Sequence, residues 1–125
     1  MKIVLKGTPP SLNRFAGRAN TWAYRQAKEE WTGKVLAACL KASTGAHRPC
    51  AQHLVRIDYY FPSRARHDPD NYAGKFLLDG LTKAGVIMDD DFSHIMLSLH
   101  GHVDHENPRT EIYVQEVTLI DLQEA

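Results

Sequence analysis

Six carboxylates, Asp68, Asp70, Asp79, Asp89, Asp90 and Asp91, crowd around Lys75 in one short stretch of this chain. Carboxylate oxygens are the hard donors that Mg2+ and Mn2+ prefer, and anions packed this closely need a cation, protons or bulk water to relieve their repulsion. Pro69 restrains Asp68 to extended backbone, and residues two apart in an extended run point to the same side, so Asp68 and Asp70 can converge on one ion. Alone, a D-x-D is most often a solvated turn, and the pair gains meaning only from its surroundings.

Asn71 suits a helix N-cap, and a helix opening there would set its positive end beside the two carboxylates. Lys75 and Asp79 stand four apart on the outer face of that helix. They form either an ordinary surface ion pair, worth about a few tenths of a kcal/mol, or a lysine that meets a scissile phosphate or its attacking water while Asp79 orients it or supports the metal. Asp89, Asp90 and Asp91 follow the apolar step Val86 to Met88, which tethers them, and at least one can return toward Asp68. Three adjacent acids cannot all point one way, so the others are solvated or cap the next element.

Divalent ions bridged by such carboxylates activate water and stabilise the attacking and leaving oxygens of an in-line displacement at phosphorus. Phosphodiester hydrolysis fits this set better than acyl transfer, because no Ser/His/Asp set, nucleophilic Cys or Gly-rich phosphate loop has a supporting motif. A calcium EF-hand fails on its spacing. Asp68, Asp70 and Asp79 fill its first, third and twelfth positions, but Tyr72 replaces an oxygen ligand and Ala73 replaces the required glycine. His94, His100, His102 and His105 form a second cluster, either a zinc site or, with no cysteine pair beside them, ordinary surface histidines.

The elements that must position these groups are legible from periodicity. Lys2 to Lys6 predicts a first strand, ended by Gly7-Thr-Pro-Pro-Ser11, and Thr21 to Lys41 predicts a long amphipathic helix on Ala23, Ala27, Trp31, Val35, Ala38 and Cys39. Gln52 to Phe61 alternates as a second strand that Pro62 stops. A helix over about Asn71 to Ala84 follows, with Gly85 as its stop, and further strands are expected near Ile95 to Val103 and Thr110 to Leu119. Four strands and two main helices make an α/β domain spanning residues 1–125.

At 125 residues the chain fits one domain, with 43% hydrophobic and 24% charged residues, as in ordinary globular proteins. No apolar run approaches a membrane span, and the opening segment reads as a strand and not a signal peptide, so the cytoplasm is the expected compartment. Cys39 and Cys50 form no C-x-x-C pair and are expected as reduced thiols. The zero net charge conceals an asymmetry: Met1 to Arg66 carries twelve Lys/Arg against three Asp/Glu, and His67 to Ala125 three against twelve, or +9 and −9. Either the two parts neutralise each other across the fold, or the first holds a polyanion while the second presents metal ligands.

Nearly the whole chain resembles the RusA family of Holliday-junction resolvases. The resemblance rests on Asp68-Pro-Asp70-Asn71, Lys75, Leu78-Asp79-Gly-Leu81, Lys83-Ala-Gly85 and Asp89-Asp90, with Pro9-Pro-Ser11-Leu-Asn13-Arg14 near the start. It implies a RusA-like mixed sheet and a homodimer that cuts four-way DNA junctions with Mg2+ or Mn2+. Asp68, Asp70 and Asp90 would be the metal ligands, Lys75 the catalytic lysine, and Asn71, Asp79, Asp89 and Asp91 supporting residues. The segment between Asp70 and Lys75 holds one residue more than in the best-known member, placed near Tyr72 to Gly74. Asn13, Arg14, Arg18, Arg64 and Arg66 are the expected DNA contacts, with Arg25 and Lys28 as further basic candidates and Phe15 as a residue able to insert at a junction. The alternatives are a nuclease for other branched DNA and a non-catalytic DNA-binding or metal-stabilised assembly protein.

Overall fold

The computed structural model describes residues 1–16, 21–42 and 51–117. Its elements run in the order strand β1 (Lys2–Lys6), a 3-10 turn (Leu12–Phe15), helix α1 (Thr21–Ala42), strand β2 (Gln52–Phe61), a 3-10 turn (Pro69–Asn71), helix α2 (Leu78–Lys83), strand β3 (Ile95–Val103) and strand β4 (Arg109–Val117). The strands form one mixed sheet in the order β1-β4-β2-β3, so the α/β class and the four strands agree with the sequence reading.

Strand β4 pairs antiparallel with β1 and β2, whereas β2 and β3 run parallel, with His53 opposite Ile95 and Phe61 opposite Val103. Parallel neighbours cannot be joined by a tight turn, because the chain must travel back the length of the strand. Residues 62–94 make that journey. All six carboxylates of the acidic stretch therefore lie on one crossover.

Alternation along β2 sends Val55, Ile57, Tyr59 and Phe61 to the helix-bearing face, where they join Ile3 and Leu5 of β1 and Ile112 and Val114 of β4. Trp31, Val35 and Cys39 of α1 close over them, together with Phe76, Leu77, Leu81 and Ile87 from the crossover. Helices α1 and α2 meet closely because Gly80 has no side chain: a Cβ there would lie 2.6 Å from Val35 Cβ and 3.0 Å from the Thr32 carbonyl oxygen. Cys39 is a free, buried thiol whose pKa burial pushes up, while Cys50, Gly45 and Pro49 lie outside the described residues.

The other face of the sheet carries charge ladders. Asp58 and Glu111, directly opposite each other on β2 and β4, are both buried. Arg56 Nε lies 2.9 Å and His102 Nε2 2.7 Å from the Asp58 carboxylate, while Arg109 Nε lies 2.6 Å from Glu111 and the Tyr113 hydroxyl donates to it at 2.7 Å. Two like charges tolerate this juxtaposition because each has its own cationic partner.

The helix expected over Asn71 to Ala84 is corrected to a 3-10 turn, a bend and a short α2. Gly74 takes φ 84°, a left-handed conformation that interrupts a right-handed helix, and the N–H groups of Leu77 and Leu78 both donate to its carbonyl at 2.9 and 3.0 Å. Asn71 is consequently no N-cap; it closes the 3-10 turn, donating its N–H to the Asp68 carbonyl at 3.0 Å. Gly85 ends α2 as expected, at φ 74°. No helix among the described residues is long and apolar enough to cross a membrane.

Candidate active site

The break at Gly74 places Lys75 ahead of α2 instead of on it, and this decides its surroundings. Lys75 is exposed, and among the described residues it has no ion partner. Asp79, expected to pair with Lys75, is bound instead by Lys28 of α1, with Nζ 3.1 Å from Oδ2. Lys75, Asp79, Lys28 and Asp90 nonetheless line one open pocket, whose remaining wall is Leu12, Ala73, Gly74 and Leu78. Its volume, about 190 Å³, admits a phosphate group with several waters at ~30 Å³ each.

The pocket is electrostatically strained in a specific way. Partial burial, the neighbouring Asp89 carboxylate and the charge of Asp79 push the Asp90 carboxyl above the usual carboxylate range. Asp79, with a smaller contribution from Asp90, raises the Lys28 ammonium. Hard oxygen donors whose ionised forms repel one another are what a divalent cation relieves, so the residues present fit Mg2+ or Mn2+.

The three adjacent acids diverge. Asp89 Oδ1 accepts the Asp90 N–H at 2.8 Å, Asp90 lines the pocket, and Asp91 binds His94 Nδ1, which lowers its pKa. Among the described residues, the one set of three possible ligands whose donor atoms lie within 4.8 Å of one another is Asp89, Asp91 and His94. Asp68, Asp70 and Asp90 do not form such a preassembled set.

The backbone is extended at Asp68 (φ −99°, ψ 135°) but turns into 3-10 geometry immediately afterwards, so the extended run expected through Asp70 is cut short by the Pro69 turn. Of the two carboxylates, Asp68 is the one that contacts a cation. Arg66 Nε lies 2.9 Å from Asp68 Oδ1, and its guanidinium pKa is raised by Asp68 first and by Asp70 in addition. Asp68 also borders a small aromatic cavity beside Tyr59, Phe61 and Tyr72, in which His67 stacks on Phe61 at 3.7 Å between ring centres. Tyr59 ties this wall to the crossover by donating its hydroxyl to the Tyr72 carbonyl at 2.5 Å.

No family model matches the chain. Over 87 residues, covering 66% of this chain and 68% of the relative, it is 33% identical to the crossover junction endodeoxyribonuclease RusA of Escherichia coli O139:H28 (strain E24377A / ETEC). The chain belongs to the RusA family.

Of the expected DNA contacts, Asn13, Arg14, Arg64 and Arg66 lie on two described segments. Asn13 and Arg14 are exposed on the 3-10 turn whose Leu12 lines the lysine pocket, and Ser11 Oγ accepts the Asn13 N–H at 3.2 Å to hold that turn. Arg64 and Arg66 are exposed where the crossover leaves β2, while Arg18 lies outside the described residues. Phe15 is half-buried, its ring packed edge-on against Tyr24 and Phe76 with centroids 5.8 and 5.9 Å away. The histidines are also dispersed, His94 to Asp91, His102 to Asp58 and His105 to the Pro62 carbonyl, so they do not assemble a zinc site among themselves. The group that sequence reasoning undervalued is Lys28. Its basic character and helical position were visible, but nothing local to α1 signals that it faces Asp79 and Asp90.

Proposed function

We propose that this chain is a divalent-metal-dependent endodeoxyribonuclease that resolves four-way DNA junctions as a homodimer, each subunit hydrolysing one of two symmetrically placed phosphodiesters. The observation that carries this reading is the pocket that Lys75 lines together with Asp79 and Asp90, on the crossover that also bears Asp68 and Asp70.

Asp68, Asp70 and Asp90 would hold Mg2+ or Mn2+, which when bound supplies Lewis-acid polarisation of the phosphate and acidifies a water. Lys75, with three N–H donors and no carboxylate bound to it among the described residues, hydrogen-bonds a non-bridging phosphate oxygen or orients the attacking water. Asp89 and Asp91 stiffen the loop that presents Asp90, through the Asp90 N–H and His94 respectively. Asn71 supports the turn that presents Asp68 and Asp70. With Asp68 engaged by metal, Arg66 would be released from it to join Asn13, Arg14, Arg18 and Arg64 on the DNA backbone. Such an exchange is inexpensive because the Arg66 side chain is 87% exposed.

The test is incubation of the purified chain with labelled four-way junctions, flaps and duplexes in Mg2+ or EDTA. Paired incisions in junctions, lost in EDTA, are expected. Equal cutting of junctions and duplexes would defeat junction selectivity, and preferential cutting of flaps would reassign the substrate to other branched DNA. Asp70→Asn should bind junctions like the wild type and leave them intact, because it removes a ligand charge without removing phosphate contacts.

A further inference from the structure

We infer that Lys28 is a second phosphate-contacting lysine of this pocket and that Asp79 is its positioning residue. The inference rests on the phosphodiester-hydrolysis reading above and goes beyond it by assigning substrate contact to α1, an element outside the acidic crossover.

The Lys28–Asp79 pair joins two helices distant in sequence, with both side chains 38% exposed. Half-exposed pairs contribute little to stability, and the α1–α2 contact is already secured by the close fit of Gly80 against Val35. Structural need therefore does not account for placing a lysine there. The same helix provides the contrast: Lys34 pairs with Glu30 one turn away, an ordinary local bridge at 3.4 Å whose ammonium also lies over the Trp31 ring. Lys28 instead reaches off its own helix into the pocket lined by Lys75 and Asp90.

Charge balance points the same way. Asp68, Asp70, Asp79 and Asp90 carry four negative charges against two positive ones on Lys28 and Lys75, so a bound divalent cation brings the site to about neutrality before the anionic phosphate enters. With Lys75 alone the same site would stay at about −1 and repel the charge that builds on the phosphoryl oxygens during in-line attack. An ammonium has three donors, and Asp79 Oδ2 occupies one, leaving two N–H groups for a non-bridging oxygen. Asp79 holds the flexible stem in place, reducing the rotamer freedom lost when the phosphate enters.

Single-turnover cutting of a labelled four-way junction in Mg2+, beside junction binding in EDTA, tests this with Lys28→Met, Lys28→Arg, Asp79→Asn and the Met/Asn double variant. Lys28→Met should cut about 100-fold more slowly, as when one oxyanion donor is removed, while binding is largely kept. Lys28→Arg should recover part of the rate, because the charge and donors persist. Asp79→Asn should slow cutting less, and the double variant should be no slower than Lys28→Met, since Asp79 acts through Lys28. Lys28→Met cutting at the wild-type rate overturns the inference, as does a rate loss matched by an equal loss of binding; both leave the endonuclease reading standing. A wild-type chain that fails to cut junctions in Mg2+ overturns the two together.

Discussion

Replacing Gly80 with alanine should both loosen the fold and slow the chemistry. A Cβ at this position would stand 2.6 Å from Val35 Cβ, 2.7 Å from Val35 Cγ1 and 3.0 Å from the Thr32 carbonyl oxygen. None of these atoms is the far end of a flexible side chain. Comfortable carbon contacts begin at about 3.5 Å, so α1 and α2 must part by about 1 Å. Overpacking of this kind costs about 1–3 kcal/mol, and the better helix propensity of alanine offsets about 1 kcal/mol. A net loss of up to about 2 kcal/mol corresponds to a fall in Tm of up to about 8 °C for a domain of this size. Because Lys28 rides on α1 and Asp79 on α2, the same displacement disturbs their 3.1 Å contact, and cutting should fall at least about tenfold. Gly33→Ala is the control, since its Cβ would meet nothing within 4 Å on the exposed face of α1. It should raise stability by about 0.5–1 kcal/mol and leave cutting unchanged. Thermal melts followed by circular dichroism, with single-turnover rates on a labelled junction, read both effects. A Gly80→Ala variant as stable and as active as Gly33→Ala would refute the helix contact and its link to the pocket.

Two further outcomes follow from the same region. The raised pKa of Asp90, caused by burial and then by Asp89 and Asp79, means that the folded chain holds that proton more tightly than the unfolded one. Stability therefore falls as pH rises from the ordinary carboxylate value through the raised one. In EDTA at neutral pH, Asp90→Asn should melt above the wild type while cutting nothing in Mg2+, and the melting difference should vanish below the carboxylate range; a lower neutral Tm would contradict this. Tyr59→Phe removes the donor to the Tyr72 carbonyl, which should cost about 1–2 kcal/mol and lower the urea midpoint. An unchanged midpoint would show that the bond does not anchor the crossover.

The strands were legible because their signal is local. Val55, Ile57, Tyr59 and Phe61 alternate, and that alternation is the pleat itself, so β2 and β3 begin and end where the pattern predicts. The helix over Asn71 to Ala84 was misread for an equally physical reason. Its apolar positions, Phe76, Leu77, Leu81 and Ala84, do face the core, but a bend that buries the same residues satisfies the same pattern, and a glycine does not announce from sequence which sign of φ it will adopt. The Lys75–Asp79 pairing failed with the helix, since a spacing of four brings side chains together only where α-helical geometry is continuous.

What the amino-acid sequence determined by itself was the α/β composition, the acidic stretch and the family in which that pattern occurs, all of which depend on residue type and short spacing. The tertiary structure decided which acid meets which base. Parallel pairing of β2 with β3 draws the acidic crossover across the helix-bearing face, and the missing side chain of Gly80 lets α1 close on α2, so it is Lys28 and not Lys75 that meets Asp79. Contacts between segments so far apart in the chain exist only once a packed core holds them together, and no spacing along the sequence encodes them.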